Sequence, residues 1–226
     1  MRDTNNLLKL QKKPGILIAC EGLSGCGKSE SIKELHHYLK HSGYNVHIIE
    51  WNSNEKIRGF IKLLQRYKIL SPFVYSLLQW VSFINDYFKQ IRPLLKTECI
   101  IIADRYVYTG ITRDKANGSI SCIGKTIEKI IRVPDLIFLF DTDPEICMKR
   151  IHDRNKELFH PNKKMKKDAS YLKAIRTQYY ACFDRLQINK KTILIRIFNN
   201  HCNMNEHVRD YIEQKLTYQG RINHYA

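Results

Sequence analysis

Residues 16–29 read Ile16-Leu17-Ile18-Ala19-Cys20-Glu21-Gly22-Leu23-Ser24-Gly25-Cys26-Gly27-Lys28-Ser29, an apolar run that leads into G-x-x-x-x-G-K-S. A strand emptying into such a Gly-rich turn, followed by a helix, is the P-loop pattern, a geometry that holds a polyphosphate. Gly22, Gly25 and Gly27 let the backbone curl so that successive N–H groups, including those of Ser24 and Cys26, point inward as an anion-binding nest. The helix opening near Gly27 adds the positive end of its dipole. Lys28 reaches the β- and γ-phosphates, and the Ser29 hydroxyl ligates Mg²⁺. ATP with Mg²⁺ is the expected ligand, and the open question is what receives the phosphate.

A chain of 226 residues with 43% hydrophobic content suits a single α/β domain spanning residues 1–226. No apolar run approaches the roughly 18 residues of a membrane span. The first residues, Met1-Arg2-Asp3-Thr4-Asn5-Asn6-Leu7-Leu8, lack the apolar stretch of a secretory signal. Seven scattered cysteines without a C-x-x-C pair suggest neither a zinc ribbon nor a disulfide framework, so a reducing, cytoplasmic setting is expected. The formal net charge of +16 fits either an enzyme gripping two polyanionic substrates or a nucleic-acid partner. The densest basic run, Lys163-Lys164-Met165-Lys166-Lys167, carries no interleaved aromatic stack, which ranks nucleic acid behind a small-molecule acceptor.

Five strands are expected at Ile16–Cys20, Asn45–Glu50, Cys99–Ala103, Leu136–Phe140 and Thr192–Phe198. Near-continuous apolar runs of this kind suit parallel strands covered on both faces. Helical patterns occupy Ser29–His41, about 55–67, about 73–92, Lys125–Arg132, Pro144–Arg154, Ala169–Gln187 and Asn203–Leu216, with Pro72 and Pro93 as breaks. The alternation implies right-handed crossovers and a three-layer α/β/α fold with a five-stranded parallel sheet. The polar, basic stretch 155–168, broken by Pro161, reads either as a solvated loop or as a mobile lid over about 152–168.

The third strand ends in Asp104-Arg105-Tyr106. Ligands in open α/β sheets bind beyond the carboxyl ends of the strands, so Asp104 is expected near Lys28 as a second Mg²⁺ ligand. Arg105 then offers a bidentate donor to a phosphate at the same edge.

Taken together, Glu21-Gly22…Gly27-Lys28-Ser29, Asp104-Arg105-Tyr106, and Val133-Pro134-Asp135-Leu136 running to Phe140-Asp141-Thr142-Asp143-Pro144-Glu145 resemble the thymidylate kinase family. The resemblance anchors the chain from 16 to about 198. It implies ATP and Mg²⁺, a closing lid, a homodimer, and transfer of the γ-phosphoryl group to a nucleoside monophosphate, dTMP giving dTDP. It also implies roles for single residues. Lys28 and Ser29 take the ATP phosphates and the metal, Asp104 serves the metal and acceptor end, and Arg105 takes the acceptor phosphate. Arg150 and Arg154 stand where the family keeps arginines near adenine and at the lid, with Arg176 a weaker candidate of the same kind.

The departures from the family pattern fall on the acceptor side. Ile49-Glu50-Trp51 stands where Arg-Glu-Pro is usual, so the arginine expected there is missing, and Arg58 is the nearest substitute. Thr109 replaces a serine, while Arg113 and Asp114 replace the Tyr-Gln pair that helps hold thymine and its sugar. Ser24 replaces an acid within the P-loop. Glu50 opens a second reading, a deoxynucleoside kinase with Glu50 as general base, because a hydroxyl acceptor needs a base and a phosphate acceptor does not. A third reading is a nucleic-acid-binding P-loop module or a 5′-end polynucleotide kinase.

Overall fold

The computed structural model of the protein describes residues 15–119, 122–155, 158, 168–188, 192–198 and 203–223. Its centre is a five-stranded sheet in the order β2-β3-β1-β4-β5, made of β1 (Ile16–Gly22), β2 (Val46–Glu50), β3 (Ile100–Asp104), β4 (Leu136–Asp141) and β5 (Ile193–Phe198). Every adjacent pair is parallel. β1 lies in the middle because its sequence tolerates cover on both sides: Leu17, Ile18, Ala19 and Cys20 are all fully buried. β4, Leu-Ile-Phe-Leu-Phe-Asp, is buried along its whole length for the same reason.

Helix α1 (Lys28–His41) follows the P-loop and packs against β1, β2 and β3, with α9 (Met204–Asn223) beside it. The opposite side carries α3 (Pro72–Asp86), α5 (Val107–Asn117), α6 (Cys122–Ile130), α7 (Pro144–Asp153) and α8 (Asp168–Ile188), with α5 packed on α3, α6 and α8. The expected three-layer architecture is therefore present. Helix α2 (Glu55–Arg66) leans on α3. Part of the expected lid, residues 156–157 and 159–167, and with it the Lys163–Lys167 run, lies outside the described residues.

Two features differ from the sequence expectation. Helix α5 occupies Val107-Tyr108-Thr109-Gly110-Ile111-Thr112, a segment whose β-branched residues and glycine give it little intrinsic helicity. Burial overrides that preference, since Val107 to Thr112 are all buried. The helix expected to stop before Pro93 instead passes through a π-helical turn, Tyr87–Ile91, into a last short turn, α4 (Arg92–Leu94). The wider turn changes the hydrogen-bond register just ahead of the residue that has no N–H to give.

An aromatic cluster fixes α3 and α5 relative to the end of β2. Trp51 stacks on Phe83 with ring centroids 4.7 Å apart, and buried Trp80 meets both edge-on. Gly110 and Gly124 make room for Trp80: a Cβ on Gly110 would stand 2.6 Å from its ring, and one on Gly124 2.7 Å. Gly110→Ala is accordingly expected to cost about 1–3 kcal/mol by overpacking. Chemical denaturation measures this directly, and an unchanged midpoint would contradict the packing described.

Candidate active site

The site is built at the carboxyl edge of the three central strands. β3 and β4 flank β1, so the P-loop, the end of β3 and the end of β4 open on the same side. Cys20 pairs in register with Asp104, and Gly22 with Phe140.

The P-loop must pass close to its neighbours, and two glycines allow it. Gly22 has φ +148 and Gly25 φ +81, and a Cβ there would meet the Phe140 carbonyl oxygen at 2.7 Å or the Cys147 carbonyl oxygen at 2.5 Å. Gly27 caps α1 in the left-handed region without any side-chain cap, so first-turn N–H groups are left for an anion. Lys28 is buried, and its Nζ lies 3.2 Å from Asp104 Oδ1. The pair is ionic only: Asp104 Oδ1 has no hydrogen-bond partner although it is shielded from solvent.

Arg105 sits at the same edge in the left-handed region, φ 75, an uncommon and mildly strained conformation for a residue with a side chain. Its N–H is held by the Cys20 carbonyl at 3.0 Å, and the next N–H, that of Tyr106, by Glu21 Oε1 at 2.8 Å. Its guanidinium donates to the Gly22 carbonyl at 2.7 Å and approaches Ser24 Oγ at 3.5 Å. The strained residue is thus fastened to the P-loop at both its backbone and its side chain.

Glu21 makes this fastening possible. It is fully buried, yet it accepts from the N–H groups of Tyr106 and Thr109, from Thr109 Oγ1 at 2.5 Å and from the Tyr179 hydroxyl at 2.9 Å. Burial pushes its carboxyl up from the usual range, while the Thr109 hydrogen bond, the Arg105 charge and the Tyr106 N–H pull the other way. In the sequence Glu21 stands beside the P-loop glycines without an evident task. The available signal was a carboxylate inside an otherwise apolar strand, which a buried position tolerates only with several donors around it.

Two cavities meet over the P-loop. The smaller, about 270 Å³, is lined by Gly25, Cys26, Gly27, Lys28, Ser29 and neighbouring side chains of α1, with Arg154. The larger, about 380 Å³, shares Gly25, Lys28, Ser29 and Arg154 with it. From there it extends past Ser24, Asp104 and Arg105 to Arg113, Arg150 and Tyr171. A triphosphate in the smaller cavity would direct its terminal phosphate to the shared residues, leaving the larger one for an acceptor.

Several expected site residues are placed elsewhere. Arg176 is spent on structure: its Nε donates to Asp141 Oδ1 at 2.7 Å, with Tyr180 on the other carboxylate oxygen at 2.6 Å. Glu50, paired with Asp104 in register, is exposed and lines neither cavity. Arg58 is exposed on α2 and also lines neither. Asp114 is buried and accepts from Trp80 Nε1 at 2.7 Å, so it faces α3 and not the larger cavity. Burial lifts its carboxyl above the usual range, with the Trp80 bond pulling the other way.

The sequence model of the family described as thymidylate kinase matches residues 20–201. A probable thymidylate kinase 2 from Saccharolobus solfataricus is 32% identical over 144 residues, which cover 64% of this chain and 67% of that protein. A probable thymidylate kinase from Archaeoglobus fulgidus is 29% identical over 209 residues, covering 92% of this chain and all of that protein. Among solved structures, a thymidylate kinase from Ehrlichia chaffeensis superposes with a TM-score of 0.60 at 21% identity, over 91% of this chain and 99% of that one. That likeness concerns the fold.

Replacing Glu21 by Gln keeps the shape but turns an NH₂ group toward donors. The expected cost is about 1–3 kcal/mol of stability, the range for leaving buried polar groups unpaired. Turnover should fall as well, because the turn that carries Arg105 loses part of the hold on its Tyr106 N–H. Denaturation and initial-rate measurements on Glu21→Gln check both, and wild-type values for the two together would contradict the role given to the network.

Proposed function

This chain belongs to the thymidylate kinase family, and from that premise we infer that it transfers the γ-phosphoryl group of ATP to dTMP, giving dTDP and ADP. The observation that carries the reading is the meeting of the two cavities at Lys28, Ser29 and Arg154, with Asp104 and Arg105 on the far side.

The chain's own part in such a transfer is positioning and charge. P-loop N–H groups and Lys28 hold the β- and γ-phosphates, and the uncapped start of α1 adds its dipole. Arg105, held beside Glu21 and Gly22, lines the larger cavity, where its guanidinium donates to the acceptor phosphate. Arg154, at the junction, is placed to offset charge on the group in transit, and Arg150 lines the same cavity. A phosphate acceptor is already ionised and needs no general base, which agrees with a site that leaves Glu50 outside.

Magnesium fits the residues present. Ser29 Oγ and the Asp104 carboxylate are hard oxygen donors at the junction, and Asp104 Oδ1 has no hydrogen bond to satisfy it. These two residues would hold the ion. When bound, Mg²⁺ neutralises charge on the phosphates.

Two further readings complete the proposal. Phe73, Leu77, Val81, Ile84 and Phe88 form one stripe along α3 and the π-helical turn, each between 37% and 48% exposed. An apolar stripe of this length at helical spacing fits a second copy of the chain packed about a two-fold axis. The described cysteines are all free, which fits a cytoplasmic setting. No helix among the described residues is long and apolar enough to cross a membrane.

Assayed with ATP and Mg²⁺, the protein is expected to release ADP in step with dTDP from dTMP, and Lys28→Ala to lose roughly 100-fold or more of that rate. Absence of dTDP would sink the proposal. In sedimentation experiments the wild type is expected as a dimer and Val81→Glu as a monomer. A monomeric wild type would refute the α3 interface.

A further inference from the structure

Among the described residues, the larger cavity is lined by the cations Lys28, Arg105, Arg113, Arg150 and Arg154 and by one carboxylate, that of Asp104. Most of these charges already have work. Lys28 faces Asp104, Arg105 donates to Gly22, and Arg150 reaches toward the Gly25 carbonyl at 3.5 Å. Arg154 is exposed at the cavity mouth, whereas Arg113 is not. Arg113 is half-buried on α5, and among the described residues no carboxylate or carbonyl pairs with its guanidinium.

The carboxylate next to it in sequence does not compensate it, because Asp114 turns to Trp80. Tyr171 of α8 lines the same cavity, and the Arg113 charge lies close enough to oppose the upward push of burial on its hydroxyl. Helix α5 is held firmly, by Thr109 on Glu21 at one end and by Gly110 against Trp80 in the middle. An arginine presented by such an element is pre-organised. The loop after β2 brings no cation to the cavity: Trp51 Nε1 donates to Gln79 Oε1 at 3.0 Å, and Asn52 packs on the same amide. A partly desolvated guanidinium without a protein anion is costly unless an arriving anion supplies the partner.

We propose that Arg113 binds the phosphate of the nucleoside monophosphate acceptor, opposite Arg105, so that the acceptor is held between the start and the last turns of α5. This rests on the larger cavity being the acceptor site. Recognition is then of a phosphate monoester dianion by two planar forks, and an uncharged nucleoside gains nothing from Arg113.

The test compares wild type, Arg113→Ala and Arg113→Lys in initial rates with dTMP and with ATP, and in binding of dTMP against thymidine. For Arg113→Ala the KM for dTMP is expected to rise roughly 10- to 100-fold, the range for losing a hydrogen-bonded charge. Its KM for ATP should stay unchanged, which also shows that the variant is folded. The preference for dTMP over thymidine in binding should shrink by the same factor, and Arg113→Lys should fall between the two. If Arg113→Ala does not fold, the lysine variant carries the comparison. An unchanged KM for dTMP, or a rise confined to ATP, overturns the role of Arg113 while leaving the kinase reading intact. A wild type that turns over no dTMP fails the kinase reading itself, and the two results are distinct.

Discussion

A single buried carboxylate holds the site together. Glu21 stands at the end of the central strand with no exposure, and its acceptor capacity is taken up by two backbone N–H groups and two hydroxyls. Those donors come from the turn after β3, the first turn of α5, and α8. Three elements distant in sequence are thereby tied to the root of the P-loop. Removing the carboxylate would leave the donors unpaired in a dry interior, where each lost hydrogen bond costs about 1–3 kcal/mol. The left-handed backbone of Arg105 persists because this arrangement over-determines it.

Function follows from that constraint by geometry. A parallel sheet brings the ends of β1, β3 and β4 to one edge, and the order β3-β1-β4 puts Asp104 beside the P-loop. The ion pair of Lys28 with Asp104 then brackets the place where the two cavities join. No mobile general base is required, since both partners in the transfer are phosphates. The work left to the protein is to neutralise and align, and the five cations that line the larger cavity among the described residues are suited to it.

Much of this was legible in the sequence because it rests on local pattern. Near-continuous apolar runs gave the strands, and G-x-x-x-x-G-K-S with Asp104-Arg105-Tyr106 marked the sheet edge on which the two cavities open. The rest depends on contacts between distant residues. Helix α5 is written in β-branched residues and glycine, so only its burial between α3 and α8 explains it. Asp114 reads as a replacement in the base pocket until Trp80 is seen to claim it. Arg176 reads as one more phosphate cation until Asp141 does the same. Glu50 ends a strand at the correct edge, but its side chain is exposed and lines neither cavity. Motifs report which chemistry is present, whereas the partner of each charge is settled by packing.

The central claim is that the smaller cavity takes the triphosphate and the larger one the acceptor, joined over Lys28. A crystal structure with an unreactive ATP analogue, Mg²⁺ and dTMP measures it most directly. The terminal phosphate of the analogue is expected on Lys28, and the dTMP phosphate within hydrogen-bond reach of Arg105. A dTMP molecule bound away from Asp104 and Arg105, or a triphosphate outside the P-loop, would contradict it.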